Sequence, residues 1–253
     1  VNYPTCTIFV KNFLQREYST KNKEDKAFFT GERFGTIKKK LGVCAMEKEI
    51  LLLGKRIDVE KSKVLLSYQP DENWLDIFDA KGGAWRYENG YLIGSEPDNK
   101  GGILLTKQRF DTDVMLSFTV ASVLPATRDL NAVYCTTWDD EINYLKKSYI
   151  SGLNGWYEGK SGIERFPEDE LRVLTPLYHY EPGMEVRITT GAVQGHNFLL
   201  VDGVLIQEMV DNMDPIVGGH VGFSPYSTVL RIKDIEVREI CWEERVQRYD
   251  PEF

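Results

Sequence analysis

Cysteine is sparse: Cys6, Cys44, Cys135 and Cys241 are the only four in 253 residues, with no CxxC pair and none near a histidine at metal-ligand spacing. This excludes a disulfide scaffold and leaves four free thiols. Histidine is rarer still. His179, His196 and His220 are the only three, and no HExxH occurs, so a three-histidine zinc site would consume every one of them. No metal ligand set and no cofactor are expected. Long apolar runs are missing too, since the stretch Ile50 to Leu53 breaks at Gly54, Lys55 and Arg56, far short of the roughly eighteen residues of a membrane span. The opening VNYPTCTIFVKN lacks the basic start and apolar stretch of a signal peptide, which makes the cytoplasm the expected location. Gly101-Gly102 and Gly218-Gly219 are not followed by the GK[ST] of a phosphate loop.

What is present describes a folded chain. Hydrophobic residues make up 42%, charged residues 28% and aromatic residues 12%, too apolar for disorder and enough for a sizeable core. The net charge of −8 disfavours nucleic acid as a partner. That charge is uneven. Residues 1–63 hold fourteen Lys/Arg against eight Asp/Glu, a net of +6, while the remainder holds 17 against 31, a net of −14. The basic segment reads as a solvated face rather than as a site.

From Val64 onward, short apolar or alternating segments are separated by turn residues, the pattern of an antiparallel all-β domain. Val114, Leu116, Phe118 and Val120 alternate along one half-buried strand. Asn89-Gly90 and Asp202-Gly203 mark two hairpins because both residues of each pair tolerate positive φ. The last long strand, Val229 to Ile240, slips register near Lys233-Asp234, which predicts a bulge. At least nine closely spaced strands mean a two-sheet sandwich or a barrel. Residues 1–63 are expected to add strands to this body, with Thr5 to Phe13 as a strand, Lys21 to Gly35 as loop and Ile50 to Val59 as a hairpin turning at Gly54-Lys55. Residues 64–240 form the core and 241–253 a tail whose Trp242 packs on the sandwich or on another subunit; homo-oligomerisation stays open. The segment Glu141 to Tyr180 is less periodic than its flanks and is therefore the expected seat of function.

Several motifs carry a family likeness. Trp85, Glu88-Asn89-Gly90, Leu104-Leu105-Thr106-Lys107 and Phe110 to Phe118, in that order, resemble the opening of bacterial keto-disaccharide hydrolase-like domains. VDGVLIQEMVDN, GGHVGF and LRIKDIEVREI are similar to the closing pattern of the same superfamily. Ile142-Asn143 and Ser148-Tyr149 also resemble the central "IN…SY" of a bacterial group with a galectin-like fold associated with pectin degradation. The resemblance covers residues 64–240. It implies a concanavalin A-like jelly-roll β-sandwich of two antiparallel sheets, a carbohydrate ligand, and cleavage of a glycoside oxidised at C3, whose neighbouring C–H is acidic.

The residues themselves leave the chemistry open between cleavage and binding. The E-x-D-x-x-E spacing that would put two carboxylates on one face of a strand for retaining hydrolysis does not occur. Asp139-Asp140-Glu141 and Glu168-Asp169-Glu170 read as solvated turn charges, although oxygen ligands for a calcium ion on the first cluster stay open. An eliminative or hydrolytic site needs a base and a stabiliser of negative charge. His179 or Tyr149 are the candidates to move the proton, Lys146 and Arg165 to stabilise the charge, with Glu164 beside them. Tyr134, Trp138, Asn143, Trp156, Tyr157 and Tyr178 are the candidates to hold the sugar, Tyr134 and Trp138 sharing a face at period two. The concave face of the sandwich is the expected location. The alternative is a glycan-binding module or accessory subunit without catalysis, which needs only aromatic platforms and hydrogen-bonding rims. Trp74 and Trp85 are expected in strands as core residues, and His196 and His220 as structural.

Overall fold

The computed structural model describes residues 48–96, 101–167 and 171–245, all within a compact unit spanning residues 43–253. Among the described residues the only α-helix is α1 (Trp74–Ile77), and no helix is long and apolar enough to cross a membrane. Apart from one 3-10 turn at Tyr157–Gly159 and connecting loops, the rest of the described residues form antiparallel sheet. Seven strands form one layer in the order β12 (Arg172–Thr175), β11 (Lys160–Phe166), β10 (Tyr144–Trp156), β9 (Leu130–Asp139), β16 (His220–Phe223), β7 (Ile103–Thr106) and β4 (Phe78–Gly82). The facing layer runs β15 (Val204–Val210), β14 (His196–Val201), β13 (Val186–Val193), β8 (Val114–Ser122), β17 (Thr228–Glu239), β6 (Tyr91–Glu96) and β5 (Ala84–Glu88), with β3 (Lys63–Tyr68) also paired to β17. A third, small sheet joins β1 (Glu49–Leu52), β2 (Lys55–Asp58) and β18 (Trp242–Glu244).

The alternation of side chains decides what each face does. In β8, Val114, Leu116, Phe118 and Val120 enter the core between the two large sheets, where they meet Leu104, Ala132, Tyr134, Ile163 and Phe223 of the seven-stranded layer. Met115, one residue out of phase, points the other way and joins Val193, Phe198 and Leu200 under Leu52 and Ile57 of the small sheet. The small sheet thus covers the outer side of the eight-stranded layer. Its first hairpin pairs Leu52 with Lys55, one residue earlier than the expected turn. Trp242 packs against the same cluster, with the Lys55 ammonium 5.4 Å from its ring centre.

Both anticipated hairpins are present: φ is 50° and 84° at Asn89-Gly90 and 49° and 83° at Asp202-Gly203, so both central residues are left-handed. The β17 bulge is also present, with pairing to β8 shifting between Lys233 and Glu236 around Asp234 at φ 51°. Two expectations are corrected. Glu141 to Tyr180 is not mainly irregular, since it supplies β10, β11 and β12; its glycines interrupt the hydrophobic pattern without interrupting the strands. Trp74 opens α1 instead of lying in a strand, though it is buried as expected. Thr5 to Phe13, Lys21 to Gly35 and Glu168-Asp169-Glu170 lie outside the described residues.

Candidate functional site

Register fixes which residues share the outward side of the seven-stranded sheet. Asp79 pairs with Leu105, Leu105 with Gly222, Gly222 with Val133, Val133 with Ile150, Ile150 with Glu164 and Glu164 with Arg172. Directly opposed residues point to the same face, so this row crosses all seven strands on one side. Its neighbour, Asn131 to Gly152 to Gly162 to Leu174, lies on the same face. The two glycines leave a floor without side chains at the β10–β11 end.

Trp156 lies over that floor. A Cβ at Gly162 would overlap Leu174 Cδ2 and the Val173 carbonyl oxygen, at 2.5 and 2.8 Å, and would come 3.3 Å from Trp156 Cε3, so the indole rests close against this glycine. The ring is held by Glu164, whose Oε2 accepts Trp156 Nε1–H at 2.9 Å and Arg172 Nε–H at 2.6 Å. Tyr157 stands beside it, 69% exposed, with the Arg172 guanidinium 6.0 Å from its ring centre. Around these residues is an open cleft of about 820 Å³, closed on its far side by Arg128, Asn154 and Tyr226. Asn154 is fixed by donating from Nδ2 to the Thr127 carbonyl at 2.7 Å. Arg128 is fixed by Asp129, 2.5 Å from Nε. Asp129 is itself buried, and that burial raises its carboxyl to a pKa of about 6 despite the Arg128 and Asn131 hydrogen bonds, which work in the opposite direction.

The expected sugar-contacting residues divide between the two faces. Trp156 and Tyr157 line this cleft; Trp138 and Asn143 border a neighbouring one on the same side of the sheet. Tyr134 does not share a face with Trp138. A left-handed residue at Cys135 and register shifts between Leu145 and Tyr149 change the parity of β9, so Tyr134 is fully buried between the sheets while Trp138 packs on the outward cluster of Ile103, Leu105, Val133 and Leu145. Tyr178 is half-buried against the main core.

The expected catalytic set does not converge. Tyr149 is fully buried, its ring 5.7 Å from that of Tyr134, and burial raises its hydroxyl well above the usual range. Arg165, opposite Tyr149 in the sheet, is also interior: Nε lies 3.0 Å from Asp211 Oδ2, and Nη2 donates to Asp214 Oδ2 and to the Asp214 carbonyl, each at 3.0 Å. Lys146 is exposed, 3.9 Å from Asp139. His179 is exposed between β12 and β13 and shares no hydrogen bond or ion pair with the other four. Only Glu164 reaches the cleft, where Trp156 and Arg172 occupy one of its oxygens. Asp139 accepts the backbone N–H groups of Glu141 and Ile142, and among the described residues no three His, Cys, Asp or Glu side chains gather in a way that could hold a metal.

Sequence reasoning missed Arg128, Asn154, Arg172 and Tyr226. Only the eight-residue spacing of Glu164 and Arg172 offered a local signal.

No protein-family model matches this sequence, and no curated protein matches it. Among solved structures, a Bacillus subtilis protein of unknown function with a galectin-like fold aligns over 70% of this chain and 96% of its own, at 12% identity and a TM-score of 0.55. The carbohydrate binding module CBM66 of Bacillus subtilis aligns over 64% and 94%, at 12% identity and a TM-score of 0.50. The fold is a galectin-like, concanavalin-type jelly-roll sandwich.

Proposed function

We propose that this protein binds a carbohydrate on the outward face of its seven-stranded sheet and does not cleave it. The observation that carries this reading is the Trp156 indole laid over Gly162 and braced by Glu164 and Arg172 at the floor of an open cleft. Sugar rings have apolar faces and polar rims, so a braced aromatic platform ringed by hydrogen-bonding groups suits them. Arg128, Asn154 and the hydroxyls of Tyr157 and Tyr226 supply such groups. The described charges around the platform pair with one another, Arg172 with Glu164 and Arg128 with Asp129, which favours a neutral sugar over an acidic one. The name of the CBM66 module, a carbohydrate binding module, adds support at the level of fold.

Cleavage of a C3-oxidised glycoside, implied by the resemblance to keto-disaccharide hydrolase-like domains, requires a base facing a charge stabiliser across the substrate. The expected base Tyr149 and stabiliser Arg165 are turned into the core, and in the cleft Glu164 is engaged by Trp156 and Arg172. The test is titration with short malto-, cello-, laminari-, manno- and fructo-oligosaccharides, followed by tryptophan fluorescence and by proton NMR of the sugars. Saturable binding that weakens about tenfold or more in Trp156→Ala, with the sugars recovered intact, is the expected result. Unchanged affinity in that variant, or new sugar ends in the NMR spectrum, would remove this reading.

A further inference from the structure

The other half of the same face holds a second cleft, of about 470 Å³, between β4, β7, β9 and β16. An aromatic ridge separates it from the first: Trp138 and Tyr144 are tilted to each other and Tyr144 and Phe166 meet edge to face, with ring centres 6.5 and 5.5 Å apart. Along the outward row, Leu105 on one side and Glu164 on the other are four strand spacings apart, roughly 19 Å.

His220 lines this cleft, and its orientation is set by the backbone. Nδ1 lies 2.7 Å from the Thr106 carbonyl oxygen. A carbonyl can only accept, so Nδ1 carries a hydrogen, and in that tautomer Nε2 is an acceptor that no group of the described residues occupies. One wall of the cleft is Trp138. The Lys81 ammonium stands 5.5 Å from the Trp138 ring centre and is held there by Asp79 at 2.9 Å. An aromatic wall, a fixed acceptor and a fixed cationic donor therefore border one concavity of the size that small polar ligands occupy.

We infer that this cleft is a second carbohydrate site, taking one neutral sugar unit against Trp138 with a hydroxyl donated to His220 Nε2 and another accepting from Lys81. The inference rests on the carbohydrate-binding reading above but uses none of the residues of the first cleft. Two such sites on one face make the protein bivalent toward a branched or extended glycan, so that capture at one raises the effective concentration at the other.

The test is NMR of protein labelled with ¹⁵N at histidine and tryptophan, titrated with the same short neutral oligosaccharides. His220→Gln assigns the imidazole signal. The His220 and Trp138 signals are expected to move saturably both in the unaltered protein and in Trp156→Ala. Lys81→Ala is expected to weaken that response about tenfold while leaving the Trp156 response intact. If the His220 and Trp138 signals stay fixed while Trp156 saturates, the second site falls and the first stands. If they move while Trp156 does not respond, the first site falls and this one remains. If none moves, both are overturned.

Discussion

The Tyr149 hydroxyl donates to Asp211 Oδ2 at 2.8 Å and accepts the Ile216 N–H at 2.9 Å. One phenol therefore anchors the loop between β15 and β16 from inside the sandwich, with Arg165 Nε 3.0 Å from the same carboxylate oxygen. Tyr149→Phe would leave the buried Ile216 N–H without a partner and Asp211 Oδ2 with Arg165 alone, at a cost of about 1–3 kcal/mol. Urea unfolding should show this as a lower midpoint with an unchanged slope, and oligosaccharide binding should survive. A stability equal to that of the unaltered protein would mean that the loop is held by other contacts.

His196 gives the fold a dependence on acidity. It is 2% exposed beneath the small sheet, and its pKa lies below the usual 6.5 because burial outweighs the favourable contact of Nε2 with Glu208, while Lys55 pushes in the same direction as burial. With the folded pKa depressed, the unfolded chain binds the proton first as acidity rises. Stability from this group is whole above about pH 6.5 and declines as the pH falls below it. In His196→Gln that decline should be absent. Thermal midpoints measured for both proteins between pH 7 and 5 should diverge, and parallel curves would contradict the assignment.

Asp129 acts in the opposite sense. Its folded pKa of about 6 lies above the ordinary 3.8, so between these values the folded chain holds the proton more tightly than the unfolded chain. Its contribution is whole below about pH 3.8 and is lost as the pH rises through 6, by at most about 1.4 kcal/mol per pH unit. Asp129→Asn abolishes the titration. Subtracting the variant's unfolding free energy from that of the unaltered protein isolates the term, and the difference should grow as the pH is lowered from 6 toward 4. A flat difference would refute the raised pKa.

What could be read from the chain was local. Asn89-Gly90 and Asp202-Gly203 announce their hairpins because a turn needs only its own residues, and β8 shows its core face because its alternation is unbroken over seven positions. The candidate site was partly legible: Trp156, Tyr157 and Glu164 were singled out. Its architecture was not, because the outward row joins residues from Asp79 to Gly222 through six independent registers. Parity also misleads wherever a strand bulges. Tyr134 and Trp138 have the same parity and lie on opposite faces. Tyr149, chosen for its chemistry, stands in the core, because residue type does not say which face of a strand a side chain takes. His220 shows a third limit. An apolar strand suggests a structural histidine, and only the Thr106 carbonyl reveals which nitrogen is left to face the cleft.

Gly222 tests whether the outward face depends on missing side chains. It sits in the middle of the row between Leu105 and Val133, and a Cβ there would overlap the Leu104 carbonyl oxygen, backbone that cannot give way without parting β7 from β16. Gly54, in the β1–β2 turn, has a φ of 78° but open space around it. Gly54→Ala should therefore cost about 1 kcal/mol for its backbone conformation alone. Gly222→Ala should cost more than about 3 kcal/mol, because a strand pair must separate. It should also disturb the His220 cleft, whose wall β16 forms, before the Trp156 cleft on the far side of the ridge. Equal losses of stability in the two variants, measured by chemical unfolding, would show that β16 can shift to take a methyl group and that the close approach is not required.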